Sequence, residues 1–359
     1  MDTIARLIIT LTAAAILTTP ITGLAAGGNA QLLAGTEEKR PPDSRSSVAL
    51  AFENDILAVG AGDRDYTYGL NITVSGGAAR SGWLNPSRVE QPLNRVLGLS
   101  FSHEPADKYS LELGVYGFTP DNITSFVPVP DDRPYASLVY AASYSEWVNP
   151  EHNSSWQTSL SLGVLGLDLV GEAQNTIHDW TDSSEANGWH NQISDGGEVT
   201  ARYTLAHQKL LHLSDSVEIK QTVQGSVGYL TEASYALGFR AGKIHSNWWS
   251  FDPELTSYGE KSVVNDDRSL MSEHYFWGGV ALKARGYNAF LQGQFRHSAL
   301  TYGHDELNHW VAEAWIGYTL ALRNGYRLSY VVRGHSSEVK SGTANRNLLW
   351  GGIIIARSF

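Results

Sequence analysis

Cysteine is absent from the 359 residues. That removes disulfide frameworks, thiolate metal sites and cysteine nucleophiles from consideration. Charge is scarce: Asp, Glu, Lys and Arg make up 18% of the chain, with a formal net charge of −11. A chain this acidic lacks the basic face of a duplex nucleic-acid binder, so no nucleic-acid partner is expected. The GxSxG elbow, the HExxH helix, the P-loop and the dinucleotide fingerprint are all missing. So are long apolar runs: beyond residue 30 none approaches the ~18–20 residues that a spanning helix needs. A chain of this kind crosses a membrane only as a closed barrel, since helices and barrels alone satisfy their backbone polar groups in lipid.

What the chain does have is glycine (35), tyrosine (17) and tryptophan (11), residues suited to strands, tight turns and membrane interfaces. Residues 1–26 read as a secretory signal peptide. Arg6 supplies the positive region, 7–18 the apolar core, and 23–26 small residues for cleavage. Residues 27–45 carry Gly, Pro and charge without periodicity and are expected to form a flexible leader into a domain spanning 46–359.

Within that domain, period-two alternation recurs. Val48, Leu50 and Phe52 oppose Ser47, Ala49, Ala51 and Glu53; Tyr66, Tyr68, Leu70, Ile72 and Val74 oppose Thr67, Asn71 and Thr73. The runs from Val217 and from Tyr326 behave alike. An apolar face opposite a charged one suits a soluble sandwich or a membrane barrel with lipid outside. Long runs, aromatic strand ends and the terminal Phe359 favour the barrel. The expected fold is therefore all-β, a transmembrane antiparallel barrel of about twelve strands: 46–54, 66–76, 108–117, 135–147, 154–168, 197–211, 214–230, 273–284, 288–300, 307–321, 324–337 and 347–357. An even number places both termini on the periplasmic side. Loops 55–65, 118–134, 169–196, 231–272, 301–306 and 338–346 are then extracellular. Asn324-Gly325 marks a hairpin. Residues 95–103 and 233–243 read as further strand-like pieces that strain the count. Residues 170–184 lose the period and are expected to form a helix in an extracellular loop, lying against the barrel wall, with Gln174 and His178 on one face.

The polar stretch 52–69 organises the rest. Glu53, Asn54, Asp55, Asp63 and Asp65 offer oxygen ligands suited to Ca²⁺ or Mg²⁺ rather than Zn²⁺, although the spacing is not that of an EF-hand and an acidic solvated loop explains it equally. Asp131-Asp132-Arg133 is a further polar knot in which Arg133 bridges acids. His178 stands out among 12 histidines by its company: the acid-rich rim, Gln174, Trp180 and Trp189. His207 falls within a strand and reads as structural.

The motifs FEND, DRDYTYG, YGFTPDN, DDRPYASLVY, EAQNTIH and GWHNQ, in this order, resemble the outer-membrane lipid A 3′-O-deacylase family (LpxR-like) from about Ser46 to Phe359. The resemblance implies a twelve-stranded outer-membrane enzyme that is calcium-dependent and hydrolyses the ester of the 3′-linked acyloxyacyl chain of lipid A. Its site lies toward the outer leaflet, and no protein partner is implied. Position by position, it implies catalytic roles for Asn54, Asp55, Thr67 and His178, the last as general base on a water. Asp55 and Thr67 are the expected metal residues, with Gln174, Glu53 and Arg133 in support. Two positions depart from the family: its lysine falls near Ile123, and its glutamate six residues after the histidine falls on Ser184, with Glu185 adjacent. Strict alternation puts Asp55 and Thr67 on the inward set and Asn54 on the outward one, so a bulge at the rim is needed to bring them together. A non-enzymatic pore or adhesin, and an outer-membrane phospholipase, are the alternatives.

Overall fold

The computed structural model describes residues 46–58, 65–80, 86–181, 184–256 and 271–359. The proposed signal peptide and leader, together with Asp63 and Arg64, lie outside these residues. Twelve antiparallel strands close into a barrel in which each strand pairs with its neighbours in sequence. They are β1 (Ser47–Asn54), β2 (Asp65–Ser75), β3 (Lys108–Thr119), β4 (Ala136–Asn149), β5 (Ser154–Leu165), β6 (Glu198–Leu213), β7 (Val217–Gly228), β8 (Leu230–Lys243), β9 (Glu273–Asn288), β10 (Trp310–Ala321), β11 (Tyr326–His335) and β12 (Leu348–Ser358). β1 pairs with β12, and Ser46 and Phe359 exchange backbone hydrogen bonds, so both ends of the barrel domain meet at one end of the wall. Among the described residues four α-helices decorate the connections: α1 (Gly77–Arg80), α2 (Ser87–Val96), α3 (Leu169–Thr181) and α4 (Ala289–Gln292).

Closure follows from the alternation. Along β10 every other residue is exposed, from Trp310 to Leu320, while Val311, Glu313, Trp315 and Thr319 face inward. The outward set is apolar and the inward one mixes aromatics with charge, as a lipid-facing barrel requires. The lumen is packed. Tyr66, Tyr116, Phe118, Tyr140, Tyr229, Phe290 and Trp350 form one interior cluster. Phe251, from the β8–β9 connection, packs against Tyr275 and Trp277 in a second. Buried ion pairs accompany them: Arg202 and Arg285 on Glu232, Arg285 and Arg133 on Glu338, and Lys283 and Arg333 on Glu313.

Twelve is the expected number, reached by two compensating differences. The strand expected over 288–300 is absent: β9 runs on to Asn288, whose side chain caps α4 by accepting from the Phe290 N–H. The piece 233–243 belongs to a true wall strand, β8. Its turn from β7 is a single residue, Tyr229, and requires Gly228 at φ 136°, where a Cβ would stand 2.0 Å from the Ala201 carbonyl oxygen. That turn leaves almost no mark in the sequence. The extra strand also moves the start of the β8–β9 connection, residues 244–256, to the end of the barrel where Ser46 and Phe359 meet. Residues 95–103 are not strand but the end of α2 and a 3-10 turn, Ser100–His103. The Asn324-Gly325 hairpin is present, with Gly325 at φ 85°.

Candidate active site

Alternation on β1 places Glu53 and Asn54 on opposite faces of the wall. Glu53 faces the lumen and accepts a hydrogen bond from the Tyr66 hydroxyl at 2.6 Å. Asn54 faces outward and ends the strand. Its Oδ1 accepts from the Ile56 N–H at 2.7 Å, capping the 3-10 turn Asp55–Leu57, and its Nδ2 donates to the Thr67 carbonyl. The turn folds over the outer face of β12, where only glycine fits: a Cβ on Gly351 would stand 2.6 Å from the Leu57 backbone. Tyr330, on the lipid-facing set of β11, donates to the Leu57 carbonyl at 2.6 Å. Asp55 opens this turn and is buried.

Thr67 is the extra residue of a bulge in β2, between Tyr66 and Tyr68. A bulge breaks the period of two. Tyr66 therefore turns into the lumen, with its ring 5.2 Å from Trp350 and 5.6 Å from Phe118, while Tyr68 turns outward. The Thr67 hydroxyl shares a 2.6 Å hydrogen bond with that of Thr119, which by alternation follows Gly117 on the outer face of β3. Strict alternation puts Tyr66 outside and Thr67 inside; the bulge reverses both. Asn54 and Thr67 thus meet on the outer side of the rim, with Asp55 between them in sequence.

Helix α3 lies on this same outer side. The Tyr68 hydroxyl donates to the Val170 carbonyl at 2.5 Å. Val170, Ala186 and Trp189 pack with Tyr68, Ile123 and Tyr135, and with Phe52, Val115 and Val139 of the wall. The approach is close enough to need glycine on the helix: a Cβ at Gly171 would stand 2.5 Å from the Trp189 ring. Asn175 exchanges two hydrogen bonds with the Ala186 backbone, closing the loop after the helix. His178 is buried. Its Nδ1 lies 2.5 Å from the Ser184 carbonyl oxygen and its Nε2 3.5 Å from Gln174 Nε2. Gln174 is fully buried, and its Oε1 accepts from the Trp189 Nε1–H at 2.7 Å. A cavity of about 370 Å³ opens beside the helix, lined by Asp168, Gly171, Glu172, Asn175, Asn187, Trp189, His190 and Asp195.

Two groups therefore stand on one patch of outer wall: Asn54, Asp55 and Thr67 at the rim, and Gln174 with His178 on the helix. β1 and β2 link them: Phe52, two residues before Asn54, and Tyr68, next to Thr67, both pack in the cluster that holds Val170 of the helix. Glu53 and Arg133 are on the other side of the wall. Arg133 reaches Glu338, stands 3.7 Å from Asp65 and covers the Phe118 ring at 4.9 Å. It bridges acids, as its sequence context indicates. Ile123 fills the seam under the helix, and Ser184 contributes its backbone carbonyl to His178. Thr119 and Tyr68 were not singled out as site residues, although both fall in the motifs YGFTPDN and DRDYTYG.

The profile of the family described as "Outer membrane protein LpxR" matches residues 11–359. The chain belongs to the LpxR family. LpxR from Salmonella typhimurium has the same fold: it superposes with a TM-score of 0.63 at 17% identity, covering 87% of this chain and 99% of that one. The β domain of the Bordetella autotransporter BrkA follows at 12% identity and a TM-score of 0.41, covering 88% and 100%. The translocator domain of NalP from Neisseria meningitidis follows at 8% and 0.38, covering 100% and 98%. Comparison with curated protein sequences gives no match. LpxR membership and the twelve-stranded barrel make this an outer-membrane protein and support a lipid A deacylase-type role. With twelve strands Ser46 and Phe359 meet at one end of the wall, the periplasmic end in a barrel of this class, and the candidate site stands at the opposite rim.

Proposed function

We propose that this LpxR-family protein is a calcium-dependent hydrolase that releases the 3′-linked acyloxyacyl chain of lipid A, with His178 as general base. The observation that carries this reading is the setting of His178: a buried imidazole on a helix docked against the lipid-facing side of the wall, the same outer side on which Asn54 and Thr67 meet at the rim. A lipid ester reaches such a site laterally, from the leaflet, with its tails still in hydrocarbon. The polar cavity beside α3 offers room for a sugar headgroup.

The hydrogen-bond chain sets the protonation of the base. An indole N–H only donates, so Gln174 turns its oxygen to Trp189 and its NH₂ to His178. A backbone carbonyl only accepts, so Nδ1 carries the proton it gives to Ser184. Nε2 keeps its lone pair on the side of Gln174 and takes a proton from a water that displaces the weak 3.5 Å contact with the amide. That water adds to the ester carbonyl carbon, and cleavage leaves a free fatty acid and the sugar hydroxyl.

The calcium part rests on donor chemistry. Asp55 and Thr67 would hold the ion, with the Asn54 amide adjacent: hard oxygen donors throughout, which suit calcium rather than zinc. Only one of these is a carboxylate, and among the described residues no group of three or more His, Asp or Glu side chains is arranged to hold a metal. Affinity tracks ligand charge, so weak binding is expected. When bound, calcium offsets the negative charge that develops on the carbonyl oxygen. Mass spectrometry of lipid A from cells expressing the protein tests the reading. The wild type should remove the acyloxyacyl mass, and His178→Ala should slow removal at least ~100-fold, the usual lower bound for losing a general base. Deacylation that survives in His178→Ala refutes the mechanism; a rate indifferent to calcium chelation refutes the metal.

A further inference from the structure

The β2–β3 connection, residues 76–107, is long for a periplasmic link, and its residues 90–101 lie against the outside of the wall. Phe101 stacks on Trp156 with ring centroids 5.1 Å apart and meets Trp147 edge-on at 5.1 Å; Trp156 in turn lies 4.6 Å from His207. Trp147, Trp156 and His207 all belong to outward sets, near the periplasmic ends of β4, β5 and β6. This is the position of an interfacial aromatic girdle.

Helix α2 sits above that girdle. Glu90, fully buried, accepts from Ser143 Oγ and from Thr158 Oγ1, the latter at 2.7 Å. Asn94, also fully buried, donates to Thr158 Oγ1 at 2.9 Å and accepts from the Tyr203 hydroxyl at 2.7 Å. Ser143, Thr158 and Tyr203 are on the outward sets of the same three strands. Each lies two to four residues rimward of its girdle partner, or roughly 7–13 Å further along the strand at ~3.3 Å per residue. The wall thus carries polar groups where hydrocarbon is expected, and bare in lipid each unsatisfied group would be strongly unfavourable. The polar face of α2 covers them and satisfies them.

That arrangement turns the helix inside out relative to a helix on a soluble protein. Its polar face meets the protein, while Val89 (54% exposed), Val96 (83%), Pro92 and the following Leu97 face away. Arg88 and Arg95, seven apart, form an exposed strip along one edge. Among the described residues neither makes an ion pair. Three strips, polar to the wall, apolar outward and basic along one side, are the pattern of a helix held at a lipid interface. The apolar strip continues the lipid-facing wall formed by Trp156, Leu162 and Val199, all exposed.

We propose that α2 lies in the periplasm-facing leaflet of the outer membrane, with phospholipid acyl chains against Val89, Val96 and Leu97 and phospholipid phosphates beside Arg88 and Arg95. The helix is then part of the membrane-spanning surface, a lipid-embedded buttress over a polar opening in the wall of β4–β6.

Because the chain has no cysteine, single-cysteine labelling tests this without background. Val96→Cys and Val89→Cys, each with an attached fluorophore, are reconstituted in phosphatidylcholine vesicles. Leu162→Cys serves as the lipid-facing reference and Glu104→Cys, on an exposed turn, as the aqueous one. Folding is verified by the heat-dependent gel mobility of the barrel. Brominated-acyl phospholipid should quench both helix labels within twofold of Leu162→Cys, and aqueous iodide should quench them several-fold less than Glu104→Cys. Iodide quenching equal to that of Glu104→Cys overturns the proposal. Protection from both quenchers also overturns it, since another protein surface, such as a second copy of this chain, would then cover the helix. A Glu90→Leu change added to Val96→Cys should release the helix and shift the label toward iodide; unchanged quenching there would refute the role of Glu90 in pinning α2 to the wall.

Discussion

At the scale of single residues, the chemistry proposed for His178 depends on a neighbour that never touches substrate. Trp189 donates to Gln174 and so decides which end of the amide meets the imidazole. With Trp189→Phe the amide loses that constraint, and its flipped form would turn a carbonyl toward Nε2 and favour the protonated, inert tautomer. A hydrogen bond of this kind is worth ~0.5–1.5 kcal/mol net, so kcat should fall roughly 2- to 13-fold with KM unchanged. In a Gln174→Met background the same tryptophan change should cost almost nothing further, because there is no amide left to flip. Additive losses, or a loss in KM alone, would show that Trp189 merely packs. Much of this site was legible beforehand. His178 and Gln174 are four apart in a segment without alternation, and Asn54 and Asp55 sit in a polar knot too charged for a core. That a bulge was needed was legible from Asn54 and Thr67 falling on opposite sets, but its place at Thr67, and so the facing of Tyr66, was not, because no glycine or proline marks the position.

At the scale of elements, α3 is held by close approach more than by its own propensity. Gly171 lets the helix meet Trp189, and Gly117 of β3 lies under both Trp189 and Val170, with a Cβ there 3.1 Å from each. Gly171→Val should push the helix off its seat. Deacylation is expected to drop at least tenfold while the barrel keeps its heat-dependent gel mobility, since the strands do not depend on α3. Full activity in that variant would detach the helix from function. The helix was readable from its broken period. Strand β8 was not assigned to the wall, because the Gly228–Tyr229 turn is shorter than any pattern of turn residues can signal. The strand expected over 288–300 failed for the opposite reason: Phe290 and Leu291 look like strand residues, but the Asn288 cap turns them into α4 as a plug over the interior cluster.

At the scale of the whole molecule, the rim loops and the lumen form one electrostatic unit. Arg346 joins Asp65 to Asp132, Arg133 joins Asp65 to Glu338, and Arg285 joins Glu338 to Glu232. A lumen crossed in this way does not suit the pore alternative. Glu338, in the loop between β11 and β12, is the hinge of the unit. Burial alone would raise its carboxyl, but the guanidinium groups of Arg133 and Arg285 outweigh burial and hold it far below the usual carboxylate range. A depressed folded-state pKa means that the stability it contributes is complete above the unfolded value, ~4.3, and drains away as pH falls below it toward the folded one. Acidification from pH 7 to pH 3.5 should therefore lower the unfolding temperature of the detergent-solubilised barrel. Glu338→Gln should start lower at pH 7, because it leaves Arg133 and Arg285 buried with one anion fewer, and it should lose less on acidification. Since many carboxylates titrate over this range, the informative quantity is the difference between the two proteins: a gap that closes as pH falls places the acid-sensitive contact at Glu338, and a gap of constant size refutes it.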